Sequence, residues 1–386
     1  MTASNWCPDP LSAGHWSQAS VEGAAWREHE CGVTWRSVTD RPGEELPEGE
    51  CSTMPDPRTT TATRAPAAPG PVPAPGMKWV PGGPFLMGSD LTQYPEEGPP
   101  HTVTVDGFWI DQYAVTVDDF RKFVRATGYK TVAERPLDPT YYPNADPAAL
   151  VPGSMVFQKP AGRVAMDHIR NWWGWVPGAC WKHPEGPRST INKRERHPVV
   201  HVAWEDVEAY AAWAGKSLPT EAEWERAARG GLEGATFTWG DEENPKKRFM
   251  ANHWQGEFPH QNLKQDGFEG TAPVGSFPAN GYGLYDMAGN VWEWTTDFFT
   301  QRHQDDVSHA CCVPTNPRVV SPDGSYDLSD PGGAHIPRRV IKGGSHMCAP
   351  NYCLRYRPAA RQPQMVETSM GHIGFRCIIR PTPVDA

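Results

Sequence analysis

The residues of this sequence that most directly suggest chemistry are two cysteines, Cys348 and Cys353, in the segment Lys342-Gly-Gly-Ser-His-Met-Cys-Ala-Pro-Asn-Tyr-Cys-Leu-Arg-Tyr-Arg357. Five positions apart, they do not meet in regular structure. In a helix they lie about 140° apart around the axis. In a strand they face opposite sides, about 16 Å from each other. Convergence needs a bend, and Ala349-Pro350-Asn351 supplies one. A folded-back thiol pair can form a disulfide, exchange disulfides, or grip a metal. It can also simply pack, since cysteine is often a small core residue. Two thiolates alone suit zinc poorly, because zinc prefers four ligands. They suit copper(I), a soft ion for which thiolate is the natural ligand.

Other side chains offer harder donors. Asn252 with Asp266 presents oxygens across one loop, and Asp286 with Glu293 presents two carboxylates around the Gly289-Asn-Val turn. Calcium takes six to eight oxygens from such mixtures, although charged loops are more often merely solvated. His197 and His201 are four apart, but Pro198 and the valines after it argue against a helical zinc pair, so both are read as hydrogen-bonded structural residues. Cys180 and the adjacent Cys311 and Cys312 read as structural or surface thiols, since neighbouring cysteines seldom bond each other without strain.

The elements that must position these groups can be placed in outline. Met77 to Gly88 reads as two short strands around a Pro-Gly-Gly turn, and His101 to Asp106 alternates as a further strand. Three helices are signposted. Thr116 caps the first, with Asp119 three residues on and Gly128 at its end. The second runs from about Trp204 to Ala214, with Gly215 as its stop, and a Thr220–Glu223 capping box opens the third, which Gly230 closes. After Gly231 the chain reads as loops and short strands.

Composition bounds the rest. Of 386 residues, 41 are proline and 17 tryptophan, which predicts a loop-rich fold with a dense aromatic interior. Residues 1–76 differ: a Thr/Ala/Pro-rich run ends at Gly76 and marks a disordered or semi-extended segment, leaving 77–382 as one domain. The net charge of −10 offers no basic block to neutralise phosphates, so no nucleic-acid partner is expected. No basic-then-apolar start and no run of about 18 apolar residues is present, so neither export nor a membrane span is expected. Nine cysteines in no regular framework fit reduced thiols in the cytoplasm.

The sequence resembles the formylglycine-generating enzymes, or sulfatase-modifying factors, from about Met77 to Arg380. The resemblance rests on Met87-Gly88, His197-Pro-Val-Val-His-Val-Ala-Trp204, Leu218-Pro-Thr-Glu-Ala-Glu-Trp-Glu225, Ala251-Asn-His-Trp-Gln-Gly-Glu-Phe-Pro259, Asn280-Gly-Tyr-Gly-Leu-Tyr285, Gly289-Asn-Val-Trp-Glu-Trp294, Gly343-Gly-Ser-His-Met-Cys348 and Gly374-Phe-Arg-Cys377. The Leu-Pro-Thr-Glu and Gly-Asn-Val-Trp motifs mark the wider superfamily, while the two cysteines mark the enzyme. The resemblance implies an α+β, loop-rich variant of the C-type lectin fold with little regular secondary structure. It implies copper(I) on Cys348 and Cys353, with Ser345 and Trp292 lining an oxygen pocket and Tyr352 and Arg357 flanking it. Molecular oxygen would convert the cysteine of a Cys-x-Pro-x-Arg motif, in an unfolded or nascent sulfatase, to formylglycine. Structural calcium would sit on Asn252, Asp266 and the carbonyls of His253 and Phe268, and on Asp286, Glu293 and the carbonyls of Gly289 and Val291.

Several positions depart from the family pattern. Ala349 stands where a histidine is frequent, His372 where an asparagine often precedes the Gly-Phe-Arg-Cys motif, and Gln364 to Met370 replaces a Ser-rich stretch. An actinobacterial branch carries similar Cys-Ala-Pro and His-Ile-Gly-Phe-Arg-Cys signatures. Ala211, Ala228 and Pro358 occupy places where secretory relatives have disulfide cysteines, leaving Cys377 alone. The competing reading is a non-catalytic lectin-like binding module. A non-haem iron sulfoxide synthase would need a His-rich helical region, and residues 1–76 offer only His15 and His29. A thiol-disulfide oxidoreductase would show Cys-x-x-Cys at a helix start, which is absent.

Overall fold

The computed structural model describes residues 68–303, 313–327 and 335–381. Residues 1–67, with their cysteines and histidines, and the Cys311–Cys312 pair lie outside that set. Residues 68–76 run as bends and turns into the first strand at Met77.

The three signposted helices form where their caps place them: α1 over Val117–Thr127, α2 over Trp204–Trp213 and α3 over Glu221–Arg229. Thr116 accepts the Asp119 N–H, and Gly128 takes the left-handed conformation that ends α1. Thr220 and Glu223 form their reciprocal capping box, and Gly230 closes α3 in the left-handed region. Helix α2 stops one residue earlier than expected, with Ala214 still helical in its angles before Gly215 turns away.

Among the described residues the strands are short and shared among four sheets. β1 (Met77–Val80) pairs with β4 (Phe108–Asp111), which also takes β11 (Ile378–Ile379). β2 (Gly83–Met87) pairs with β3 (His101–Val105), and β5 (Gly153–Phe157) with β6 (Trp173–Pro177). The Pro-Gly-Gly turn therefore separates two strands of different sheets instead of pairing them. The largest sheet orders β10 (Ile373–Gly374), β7 (Trp292–Phe298), β8 (Arg338–Lys342) and β9 (Arg361–Met365), with β10 parallel to β7 and the other neighbours antiparallel.

Helix α3 packs across β2, β3, β7 and β8, so it bridges two sheets. Its Trp224 belongs to an apolar cluster with Val80, Phe85, Val103, Phe108 and Ile110. A larger cluster unites Phe120, Phe123, Trp172, Trp254, Trp292, Trp294 and Phe375 with Cys348 and Cys353. The two cysteines are thus part of the aromatic interior that the tryptophan count predicted. No helix among the described residues is long and apolar enough to cross a membrane.

Candidate functional site

The loop from Gly343 to Arg357 connects β8 to β9 and folds back on itself. Two glycines start it in the left-handed region, at φ of 91° and 70°. A Cβ on Gly344 would stand 2.5 Å from the Arg355 carbonyl oxygen, so the two arms of the loop touch backbone to backbone there. At the far end the Ala349 carbonyl accepts the N–H groups of Tyr352 (3.0 Å) and Cys353 (2.7 Å). This is the bend that Ala349-Pro350-Asn351 was expected to make. It brings Cys348 Sγ within 3.5 Å of Cys353 Sγ, with each residue 3% exposed. That separation is far beyond the ~2.05 Å of a disulfide, and neither cysteine is disulfide-bonded.

Each arm is anchored separately. The Cys348 carbonyl accepts the Trp254 N–H at 2.9 Å, and its sulfur accepts the Ser345 N–H at 3.4 Å. Ser345 Oγ in turn accepts the Met347 N–H. Tyr352 stacks on Phe258 with centroids 4.5 Å apart and meets the edge of Trp172. Trp292 begins β7 and donates its N–H to the His372 carbonyl, inside the same core cluster as both cysteines. Ser345, Cys348, Tyr352 and Cys353 are therefore together, with Trp292 in the wall behind. Arg357 donates through Nε to the carbonyl of Leu354, next to Cys353, and through its two terminal nitrogens to buried Glu97.

The histidines around the loop are buried. Burial pulls the His346 imidazole down to about 4. His372 is held well below its ordinary value by burial and by the nearby His346 and His201. His201 is satisfied by Ser154 and the Pro184 carbonyl, and His197 by Thr271, in line with their structural reading. His372 packs on Trp173 and Ala349 is fully buried, so neither departure from the family pattern presents surface to a peptide. Burial also raises the thiols of Cys180 and Cys377, and neither lies in the loop.

The donor set tests which metal these residues could hold. Among the described residues no group of three His, Cys, Asp or Glu side chains could share an ion. Two thiolates without a third strong ligand disfavour zinc and fit a soft ion of low coordination number.

The oxygen-rich clusters adjoin this loop. Asn290, at φ 61° and almost fully buried, is the hub: its N–H donates to the Asn252 carbonyl, and its side-chain oxygen accepts from Ala272 N–H and Asn252 Nδ2. Its carbonyl accepts the His346 N–H at 3.0 Å. Asn290 escaped the sequence reading because its motif was taken to mark only the wider superfamily. In the first cluster Asp266 Oδ1 accepts the Phe268 N–H, while its Oδ2 is buried without a hydrogen-bond partner among the described residues. A bound cation is one of the partners that would satisfy such a buried carboxylate oxygen. The His253 carbonyl already accepts the Gln255 side chain. In the second cluster Asp286 and Gly289 both adopt positive φ. Burial, with the Glu293 charge adding to it, lifts the Asp286 carboxyl to about 6. Glu293 accepts three hydrogen bonds from Arg376 and Trp224, leaving one of a carboxylate's roughly four lone-pair sites. The first cluster fits a hard cation better than the second.

Residues 63–381 match the family model described as a sulfatase-modifying factor enzyme 1-like domain. The chain is 55% identical over 303 residues to the formylglycine-generating enzyme of Mycobacterium tuberculosis, covering 78% of this chain and 97% of that one. It is 44% identical over 305 residues to a mouse relative named inactive C-alpha-formylglycine-generating enzyme 2, covering 78% of this chain and 85% of that one. Among solved structures, PvdO from Pseudomonas aeruginosa superposes with a TM-score of 0.52 at 25% identity, over 79% of this chain and 94% of that one. Overall similarity thus extends to active and inactive relatives alike, and what this chain does turns on its own loop.

Proposed function

The chain belongs to the sulfatase-modifying factor family, with the loop-rich C-type lectin-like fold of that family, and on this premise we propose that it is a formylglycine-generating oxidase. Its substrate is the cysteine of a Cys-x-Pro-x-Arg segment in an unfolded sulfatase, and its metal is copper(I) held by Cys348 and Cys353. The observation that carries this reading is the pair of buried cysteines whose sulfurs lie 3.5 Å apart without a disulfide between them. Copper(I) there supplies the soft thiolate affinity and the electron transfer that let dioxygen react with a thiol.

The chain's own residues do the remaining work. The Ala349 bend brings the two sulfurs together, and the Ser345 N–H holds the Cys348 sulfur in place by a hydrogen bond. Ser345 and Trp292 line the oxygen side, while Tyr352 on Phe258 and Trp172 keeps water out. In the overall reaction the substrate carbon loses two electrons and its sulfur leaves as hydrogen sulfide. Dioxygen takes up four, giving the carbonyl oxygen and one water, so the other two come from an external thiol.

A Cys-x-Pro-x-Arg peptide, incubated with copper-loaded protein, oxygen and a thiol, should yield an aldehyde that mass spectrometry detects and a hydrazide traps. An unshifted peptide would favour the binding-module reading, to which the similarity with an inactive relative lends weight.

Calcium is the second metal of the proposal, on Asn252, Asp266 and the carbonyls of His253 and Phe268, and on Asp286, Glu293 and the carbonyls of Gly289 and Val291. The orphaned Asp266 oxygen supports it. An ion at 100 times its dissociation constant stabilises the fold by about 2.7 kcal/mol. Stripping with a calcium chelator should therefore lower the melting temperature by roughly 5–10 °C. An unchanged melting temperature counts against it.

A further inference from the structure

The turn at residues 94–97 has no part in the chemistry above, yet three of its side chains end on the segment that follows Cys353. The Tyr94 hydroxyl accepts the Leu354 N–H at 2.8 Å. The Tyr94 ring lies 4.6 Å from the Arg355 guanidinium carbon and 5.0 Å from that of Arg357. Glu96 pairs with Arg355. Glu97 receives both terminal nitrogens of Arg357, at 2.9 and 2.6 Å, and both partners are buried. The turn is itself pinned, because Ser89 Oγ donates to Glu97 at 2.7 Å and Arg361 donates to the Glu96 carbonyl at 3.0 Å.

The two arms of the thiol loop therefore have different keepers. Asn290 and Trp254 hold the Cys348 arm from inside the core. The Cys353 arm meets the 94–97 turn. The tip between them, Pro350 and Asn351, is exposed to solvent, so beyond the Ala349 turn and the Gly344–Arg355 contact the placing of the Cys353 arm falls to the groups packed on it. Buried bidentate arginine–carboxylate contacts are among the most geometrically exacting in proteins, and two thiols must be held within about 0.5 Å to share an ion well.

We propose that Tyr94, Glu96 and Glu97 are positioning residues for the thiol pair, holding the Cys353 arm where both sulfurs can grip one soft atom. The inference rests on reading Cys348 and Cys353 as a shared soft-ion site, and a copper-free measurement tests it separately. The reduced, metal-free full chain is titrated with phenylarsine oxide, whose trivalent arsenic bridges two thiols through two As–S bonds, releasing one water without a change of oxidation state. The parent should capture one equivalent more than Cys348→Ser, which removes the loop pair and leaves the adjacent Cys311 and Cys312 as they are. Tyr94→Phe and Glu97→Gln should weaken capture about tenfold or more, the range typical of residues that orient metal ligands. Tyr142→Phe removes a comparable hydroxyl contact, to Glu367 at 2.7 Å, and should leave capture unchanged.

Parent-like capture in Tyr94→Phe and in Glu97→Gln overturns the proposal, as does equal weakening in Tyr142→Phe or a parent that captures no more arsenical than Cys348→Ser. Where Glu97→Gln does not fold, Tyr94→Phe decides, since it keeps the ring and loses one hydroxyl. Repeating the series with copper(I) separates the two readings. A parent that captures arsenic but takes up no copper sinks the copper chemistry and leaves the positioning role standing.

Discussion

The thiol loop and the layer of buried ion pairs beside it adjoin at Lys342 and Arg357, yet they hold their side chains in place by opposite means. In the loop the functional atoms are five residues apart, brought together by one turn and enclosed by aromatic rings. In the layer, Lys342 is wholly buried and donates to Glu221, Glu225 and the Ala359 carbonyl. Arg361 makes two hydrogen bonds to Glu221, and Arg229 pairs with Glu225. These partners come from α3, β8 and β9. The chemistry proposed for the loop thus comes with little electrostatic investment, whereas the layer carries charge with no reactive group. A change in the loop should alter chemistry at small cost to the fold, and a change in the layer should do the reverse.

The largest expected effect is in the loop. Cys348→Ser or Cys353→Ser should abolish copper(I) uptake and lower peptide oxidation by at least about 100-fold, because one thiolate cannot replace two. The melting temperature should move by only about 2–6 °C, since serine is nearly isosteric and the burden is one buried hydroxyl. Peptide turnover retained in both variants would break the comparison on its chemical side.

The layer answers with the opposite pattern. Lys342→Met leaves Glu221 and Glu225 short of a buried partner, and breaking such a pair costs about 3–5 kcal/mol. The midpoint of urea unfolding should fall accordingly, while arsenical capture by the folded protein stays as in the parent. If Lys342→Met lost capture before it lost stability, the two regions would be one functional unit.

The same contrast explains what could be read from the sequence. A five-residue spacing around a proline is a local signal, and the structure forms the bend at Ala349 as that spacing predicts. Capping residues such as Thr116 and Thr220 act within four residues and were equally legible. The ion pairs join residues that are far apart in the chain: Arg357 meets Glu97 across 260 positions and Arg361 meets Glu221 across 140. No spacing rule reaches that far. Lone charges are rarely buried, so charge by itself gives no sign that Glu97, Lys342 and Arg361 lie inside the fold. Only the assembled fold shows that they neutralise one another. The two short strands around the Pro-Gly-Gly turn form as read, but the turn's residues do not say which strand each one pairs with: β1 finds β4 and β2 finds β3.

Acid titration sharpens the comparison further, with a smaller effect. Burial alone would raise Glu225, but Lys342 and Arg229 outweigh it and hold the carboxyl at about 2, against an ordinary value of 4.5. A folded value below the unfolded one stabilises the protein wherever the group is ionised in both states. Its contribution is complete above pH 4.5 and disappears as the pH falls toward about 2. Glu221 is lowered in the same direction, its burial outweighed by Arg361 and Lys342. The parent should therefore lose a few kcal/mol across this window, followed by urea midpoints at successive pH values. In Lys342→Met the folded Glu225 loses its strongest neighbouring charge, so its value climbs toward the unfolded one. The acid limb of that variant should be shallower, even though the protein starts out less stable at pH 7. An equally steep limb in the variant would mean that Arg229 and Arg361 alone hold the two carboxylates down, and that Lys342 serves as a spacer between the strands and α3.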